Sequence, residues 1–271
     1  MIVYPNAKIN LGLNIIRKRD DGFHELASVF YPVSWKDALE IVRSSELKFT
    51  ASGLPIPGDQ SNNLCLKAFN LLKEEFDISA VHIHLHKVLP MGGGLGGGSS
   101  DAAFTLRVLN EMFELQLDRT QLRERAAKLG SDCAFFIENT PQLATGRGEV
   151  LSPFSVDLSG YNILLVYPAV AVSTPWAYSQ IVPQQATHNL VEVLSAPVEK
   201  WREQLVNDFE SPIFKAHEEL AEIKEAMYSW GASYAAMSGS GSTMFGIFKQ
   251  GIILPIEQFE LFGYNCFIHE V

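Results

Sequence analysis

The chain has 271 residues, 47% of them hydrophobic, and a formal charge of −10 at neutral pH. That length and apolar content suit a globular enzyme with one large core or two modest ones. The negative balance argues against broad binding to nucleic acid or anionic membranes, so any phosphate-bearing ligand must meet a local basic cluster.

Taken in chain order, periodicity predicts strands over 2–14, 38–42 and 81–85 and helices over 64–75, 100–113 and 120–128. Residues 146–160 are rich in glycine, proline and serine, and a domain boundary is expected there, giving segments 1–155 and 156–271. Beyond it come a strand over 163–167, helices over 198–207 and 213–230, and a strand pair around the turn SGSGS. A helix over 256–262 and a strand over 265–269 close the chain. This mixed order predicts an α+β fold rather than a regular βαβ series. The longest apolar stretch, 161–172, is too short to span a bilayer and contains Pro168, so it reads as a buried strand. Cys65, Cys133 and Cys266 form no CxxC pair, and the first residues lack a signal-peptide layout; both features point to a reducing, cytoplasmic setting.

The segment PMGGGLGGGSSDAA, residues 90–103, carries the strongest chemical signal. Six glycines in seven positions stand between an alternating strand and an apolar-periodic helix. Bare backbone amides at a helix N-terminus form a phosphate site, and glycine lets the oxygens approach. The candidate ligands are Pro90, Gly92, Gly93, Gly94, Leu95, Gly96, Gly97, Gly98, Ser99 and Ser100, with Lys87 the nearest cation and Arg147 a second. The GxxxxGK[ST] pattern fails because Gly98 precedes Ser99. The GxGxxG pattern is met formally by Gly92, Gly94 and Gly97, with Asp118 downstream. Pro90, however, separates strand from loop where that turn should be immediate. Ser99 and Ser100 either cap the helix or touch phosphate and metal. Asp101 would repel a phosphate and reads as structural.

Alternation puts Lys8 and Asn10 on one strand face, away from Ile9 and Leu11; a half-exposed strand gives the same pattern. Asp132, in LGSDCAFF, sits in a polar turn that an aspartate caps readily. His82, His84 and His86 share a strand face compatible with a metal, but no cysteine or clear acidic partner is nearby, which favours a polar sheet face.

Three segments, PNAKINLGLNIIRKRDDGFHEL, PMGGGLGGGSSDAA and MSGSGSTMFGIF, resemble the GHMP kinases, and within them the 4-diphosphocytidyl-2-C-methyl-D-erythritol kinase family. The resemblance implies a two-domain GHMP fold with the active site in the inter-domain cleft. It implies ATP and Mg²⁺ as reactants, and transfer of phosphate to the 2-hydroxyl of a cytidine-diphosphate sugar alcohol in non-mevalonate isoprenoid precursor biosynthesis. A cytoplasmic protein, monomeric or weakly homodimeric, is the accompanying expectation. On the family pattern, Lys8 and Asn10 orient substrate and Asp132 is the base. An alkoxide is far more basic than a carboxylate, so Asp132 would take the proton late. His24 would read the cytosine edge and Tyr178 stack on the ring, with Trp176 a competing stacker. Asn63 would contact adenine, although an N-cap is its simpler use. Ser238, Gly239, Ser240 and Gly241 would close over the substrate diphosphate. The metal ligands stay open, with Ser99 a candidate magnesium contact from its place at the junction of loop and helix. Phe23 replaces the family's usual tyrosine, and Ala134 its usual proline.

Overall fold

The computed structural model describes residues 1–271 and partitions them into two units. The first comprises Met1–Lys8, Ser34–Met91 and Gly96–Thr140; the second comprises Ile9–Val33, Gly92–Leu95 and Pro141–Val271. Strand β1 (Ile2–Val3) is followed by two long strands, β2 (Asn6–Lys18) and β3 (His24–Lys36). β4 (Ala38–Arg43), β5 (Lys48–Gly53) and β6 (Val81–Lys87) complete the first unit's sheet in the order β1-β4-β6-β5. Only β5 and β6 pair in parallel there.

On β6 the period of two buries Val81, Ile83, Leu85 and Lys87, while His82, His84 and His86 take the other face. Helix α1 (Leu64–Glu75) starts where Asn63 accepts the Cys65 N–H, and it buries Cys65, Ala68, Phe69 and Leu72. Helices α2 (Gly97–Met112), α3 (Arg119–Leu129) and α4 (Phe135–Glu138) follow; α3 opens with a capping box between Asp118 and Gln121.

In the second unit, β7 (Gln142–Thr145) and β8 (Val150–Pro153) extend the long strands into a sheet ordered β2-β3-β7-β8. β9 (Tyr161–Tyr167), β10 (Tyr234–Met237), β11 (Met244–Lys249) and β12 (Asn265–Glu270) form an antiparallel sheet ordered β10-β11-β9-β12. Its helices are α5 (Thr174–Ser179), α6 (Leu190–Leu194), α7 (Glu210–Ala216), α8 (Glu218–Ser229) and α9 (Ile256–Leu261). Leu164, Val166, Ala235, Met237, Met244 and Phe248 from the sheet pack with Ile213, Leu220, Ile223 and Met227 from α7 and α8. Each such Leu, Ile, Val, Met or Phe side chain contributes about 1.5–3 kcal/mol on burial. No helix is long and apolar enough to cross a membrane.

The α+β class holds, and several boundaries move for physical reasons. The expected helix over 198–207 is a single 3₁₀ turn, because Val206 and Asp208 hydrogen-bond to Leu13 of β2 and hold the backbone extended. The expected helix over 213–230 breaks at His217, whose φ of −140° leaves the helical region, and α8 restarts with Glu218 and Glu219 in its first turn. β3, β5, β7 and β8 were not expected from periodicity: β3 is buried on both faces at its centre and contains Pro32, and β5 is a polar edge strand.

Candidate active site

In the first unit, the glycine segment enters α2 earlier than its composition suggests. Gly96, at φ +69°, is the N-cap and offers no side chain, so the helix starts at Gly97 with uncapped first-turn amides. Ser99 and Ser100 therefore lie inside the first turns, and neither is the cap. The Ser100 Oγ is buried without a hydrogen-bond partner. Gly92, Gly94 and Gly96 all take left-handed φ values, +69°, +76° and +69°, which glycine adopts without a Cβ clash. At Gly96 the first-turn amides and the positive dipole end of α2 can receive an anion.

Lys8 of β2 is buried, and its ammonium lies 3.3 Å from Asp132 Oδ2. The carboxylate side chain remains 30% exposed, so this pair faces open space on one side. A Cβ on Gly96 would stand 3.3 Å from Lys8 Cε and 3.1 Å from Phe136 Cζ, so the loop passes directly over the lysine stem. The turn of Asp132 also lies against the start of α2: a Cβ on Gly130 would stand 3.2 Å from Cys133 Sγ and 3.8 Å from Ser99 Oγ. Burial pushes the Cys133 thiol up to about 12, against the opposing pull of Ser99, so it stays protonated. The substitution at Ala134 leaves the turn closed, with Phe135 N–H donating to Asp132 O at 3.2 Å.

A cavity of about 460 Å³ opens beside this helix start, lined by Leu54, Ile56, Asn63, Leu64, Met91 and Gly98 among others. Asn63 thus both caps α1 and lines the cavity. Lys87 is corrected as the phosphate cation. Its side chain is fully enclosed, and its ammonium bonds Asp37 at 2.5 Å and Asp101 at 2.7 Å. An ammonium sealed between two carboxylates has no face to offer a phosphate. Burial alone would lower the Lys87 pKa, but Asp101 and Asp37 override it and raise it. Burial also raises Asp101, pushing its carboxyl up to about 7 against the pull of Lys87. Two carboxylates share one cation, and the second negative charge lacks a counter-ion. Asp101 is structural, as its position in the first turn suggested.

The second unit holds the other half of the glycine segment. Ser238 Oγ accepts from Asn10 N at 3.3 Å and donates to Gly94 O at 2.8 Å. Thr243 N–H donates to Gly93 O at 3.1 Å. A Cβ on Gly94 would lie 2.0 Å from Ser238 O, so only glycine fits. The Asn10 amide donates to Ser28 Oγ at 2.8 Å, and Ser28 to Gly12 O at 2.6 Å. Ser240 Oγ meets Thr174 Oγ1 at 3.0 Å. Sequence reading missed Asn207, whose amide donates at 2.8 Å to both Met237 O and Gly239 O and pins the SGSGS turn; no motif surrounds it.

The rings of His24 and Tyr178 stack with centroids 5.0 Å apart and planes 23° from parallel. Trp176 instead meets His217 edge-on at 6.5 Å. Desolvation, then Lys18, lowers the His24 pKa, keeping a neutral imidazole that both donates and accepts. The exposed Phe23 carries the Arg147 guanidinium at 4.8 Å, so Arg147 is held by this ring and by Glu149. In the first unit, His82, His84 and His86 hydrogen-bond through Thr50 and Ser52 at 2.8–3.0 Å, a polar ladder across β5 and β6.

Residues 63–139 match the GHMP kinases N terminal domain, and residues 192–252 match the GHMP kinases C terminal family. A 4-diphosphocytidyl-2-C-methyl-D-erythritol kinase of Parabacteroides distasonis is 46% identical over 270 residues, covering 100% of this chain and 98% of its own. One from Cytophaga hutchinsonii is 51% identical over 92% of this chain and 93% of its own, and one from Bacteroides fragilis is 52% identical over 92% of each. A crystal structure of 4-(cytidine 5'-diphospho)-2C-methyl-D-erythritol kinase superposes with a TM-score of 0.85 at 31% identity, over 99% of this chain and 98% of that one. A mevalonate kinase structure shares the fold at a TM-score of 0.76 and 11% identity. The chain belongs to the GHMP kinases, in the family of 4-diphosphocytidyl-2-C-methyl-D-erythritol kinases.

Proposed function

We propose that this chain transfers the γ-phosphoryl group of ATP to the 2-hydroxyl of 4-diphosphocytidyl-2-C-methyl-D-erythritol, a step in non-mevalonate isoprenoid precursor biosynthesis. The observation that carries the reading is the meeting, in the first unit, of the Lys8–Asp132 pair with the Gly96 approach and the uncapped start of α2. Phosphoryl transfer asks the protein mainly for positioning and charge neutralisation. Lys8 stands 3.3 Å from Asp132 and supplies positive charge; Asp132 orients the hydroxyl and accepts its proton as the bond to phosphorus forms. The amides of Gly92, Gly93, Gly94, Leu95, Gly96, Gly97, Gly98, Ser99 and Ser100 cradle the donor phosphates behind Pro90, and the cavity bordered by Asn63 takes the adenine.

Within the second unit, Asn10 and the turn Ser238, Gly239, Ser240 and Gly241 hold the substrate diphosphate, while His24, Tyr178 and Phe23 take the cytidylyl group. At 5.0 Å the His24 and Tyr178 rings leave no space for an interleaved base, so cytosine replaces His24 as the stacking partner while His24 turns to its polar edge. Magnesium fits as an ion carried by the nucleotide: no three His, Cys, Asp or Glu side chains could hold a metal alone. Mg²⁺ usually binds through substrate phosphates, waters and one or two side chains, and the Ser99 hydroxyl would be the protein contact. When bound, it neutralises charge on the β- and γ-phosphates. The reading includes residues 1–155 as the ATP-binding part, 156–271 as the C-terminal GHMP part, and a cytoplasmic enzyme acting as a monomer or weak homodimer.

The test is a substrate panel with ATP and Mg²⁺, reading ADP release and locating the new phosphate by ³¹P NMR. Turnover of the cytidylylated compound, with free methylerythritol phosphate inert, supports the reading. Equal turnover of both, or transfer to another hydroxyl, overturns it.

A further inference from the structure

Asp37 is a single residue between β3 and β4, and nothing in the sequence around it marks it for function. Its side chain is fully buried. Oδ1 accepts the Val88 and Leu89 N–H groups at 2.6 and 2.7 Å, and Oδ2 takes the Lys87 ammonium at 2.5 Å. One carboxylate therefore fixes three consecutive residues at the end of β6, immediately before Pro90 and the glycine segment. Lys87 passes the constraint on in two directions. Its ammonium holds Asp101 of α2 at 2.7 Å, and a Cβ on Gly97 would stand only 3.1 Å from the Lys87 Nζ and 3.3 Å from Leu89 Cβ. Its carbonyl accepts the Leu54 N–H at 2.8 Å and would lie 2.2 Å from a Cβ on Gly53, which anchors the rim of the 460 Å³ cavity. Lys87 and Asp101 line that cavity together with Asn63 and Gly98.

We propose that Asp37 is a positioning residue of the nucleotide site: through Lys87 it fixes the start of α2 and the rim of the cavity in the arrangement that accepts ATP. This rests on the ATP-dependent reading above. Charge, and not shape alone, is required at this position. An asparagine could still accept from the backbone amides. It would nevertheless withdraw a full counter-charge from Lys87 or turn an N–H₂ against the ammonium, leaving a buried cation paired once. Asp37 touches neither the cavity nor the Lys8–Asp132 pair, so its loss should fall on nucleotide affinity and spare the chemical step.

The experiment measures KM for each substrate and kcat for wild type, Asp37→Asn and Asp37→Glu, with calorimetric titration of a non-hydrolysable ATP analogue and melting curves in parallel. Asp37→Asn should raise the ATP KM and the analogue Kd about tenfold, the scale of one charge-assisted hydrogen bond. Its kcat and its KM for the cytidylyl substrate should stay within about twofold. Asp37→Glu, which restores the charge, should recover part of the affinity. Asp37→Asn on a Lys87→Met background should add almost nothing, because Asp37 acts through Lys87. Unchanged nucleotide affinity, a parallel fall in kcat, or full additivity with Lys87→Met overturns the proposal. If Asp37→Asn does not fold, Asp37→Glu decides: a raised ATP KM at unchanged kcat supports the role, and an unchanged ATP KM refutes it. Failure of the wild type to bind the analogue at all would instead strike the kinase reading.

Discussion

Two lysines of the first unit lie under the glycine segment, each paired with aspartate, and their surroundings give them opposite work. Lys8 meets Asp132 at 3.3 Å, and that carboxylate is 30% exposed. Lys87 meets Asp37 and Asp101 at 2.5 and 2.7 Å with no exposure of its side chain. The first pair keeps an open face on which a hydroxyl can be aligned; the second has its ammonium enclosed between two carboxylates in the wall of the cavity and serves as a scaffold. Ion-pair chemistry is the same in both, so access, and not charge, separates the pair we propose to be catalytic from the structural one.

The comparison breaks first at turnover. Asp132→Asn should lower kcat by about 10²–10⁴, the range for a positioned general base, with little change in ATP KM. Next comes stability. Lys87→Met should destabilise the fold by about 3–5 kcal/mol, since it strands two buried carboxylates. Lys8→Met should cost about 1 kcal/mol or less, because Asp132 can turn to water; chemical denaturation of the two variants reads the contrast, and equal losses would erase it.

The loop itself offers a cleaner probe. A Cβ on Gly98 meets only Leu64 Cδ1 at 3.9 Å, so Gly98→Val should leave melting unchanged while raising ATP KM about tenfold by crowding the phosphate. Gly96 is less suitable, since φ +69° and the nearby Phe136 would add strain of their own. A smaller effect is expected away from the phosphates. Tyr178→Ala should weaken the cytidylyl substrate by about 1–3 kcal/mol, with Tyr178→Phe nearly silent and ATP unaffected. An unchanged cytidylyl KM would remove Tyr178 from the base site.

The smallest effect is in pH. Burial raises the Asp101 carboxyl from 3.8 to about 7. Because the folded protein keeps this proton longer than the unfolded chain, the stabilisation is complete below the unfolded value and fades as pH rises towards about 7. Asp101→Asn cannot ionise, so its melting temperature should fall less than wild type's across that window. Parallel profiles would assign the pH dependence elsewhere.

Some of this was legible in the residues. Position 87 is in phase with Val81, Ile83 and Leu85, so alternation already marked Lys87 as inward-facing; nearness to the loop suggested a phosphate contact instead. Lys8 and Asp132 stood out through the family motifs, and α1 through its Asn63 cap and apolar spacing. Asp37 and Asn207 were hidden because their roles are backbone hydrogen bonds to distant segments, which leave no local pattern. The early start of α2 was hidden because glycine is a poor helix former, and Gly97 and Gly98 are helical here through their surroundings. The pairing of His24 with Tyr178 depends on tertiary packing that no short-range signal carries.

The most direct test of the central claim is a double-mutant cycle in kcat between Lys8→Met and Asp132→Asn, with ATP KM followed throughout. If the two groups align one hydroxyl together, the double variant should be no more than about tenfold slower than the worse single variant, at nearly constant ATP KM. Losses that multiply in full, or that appear in ATP KM, would contradict a shared catalytic role for the open pair.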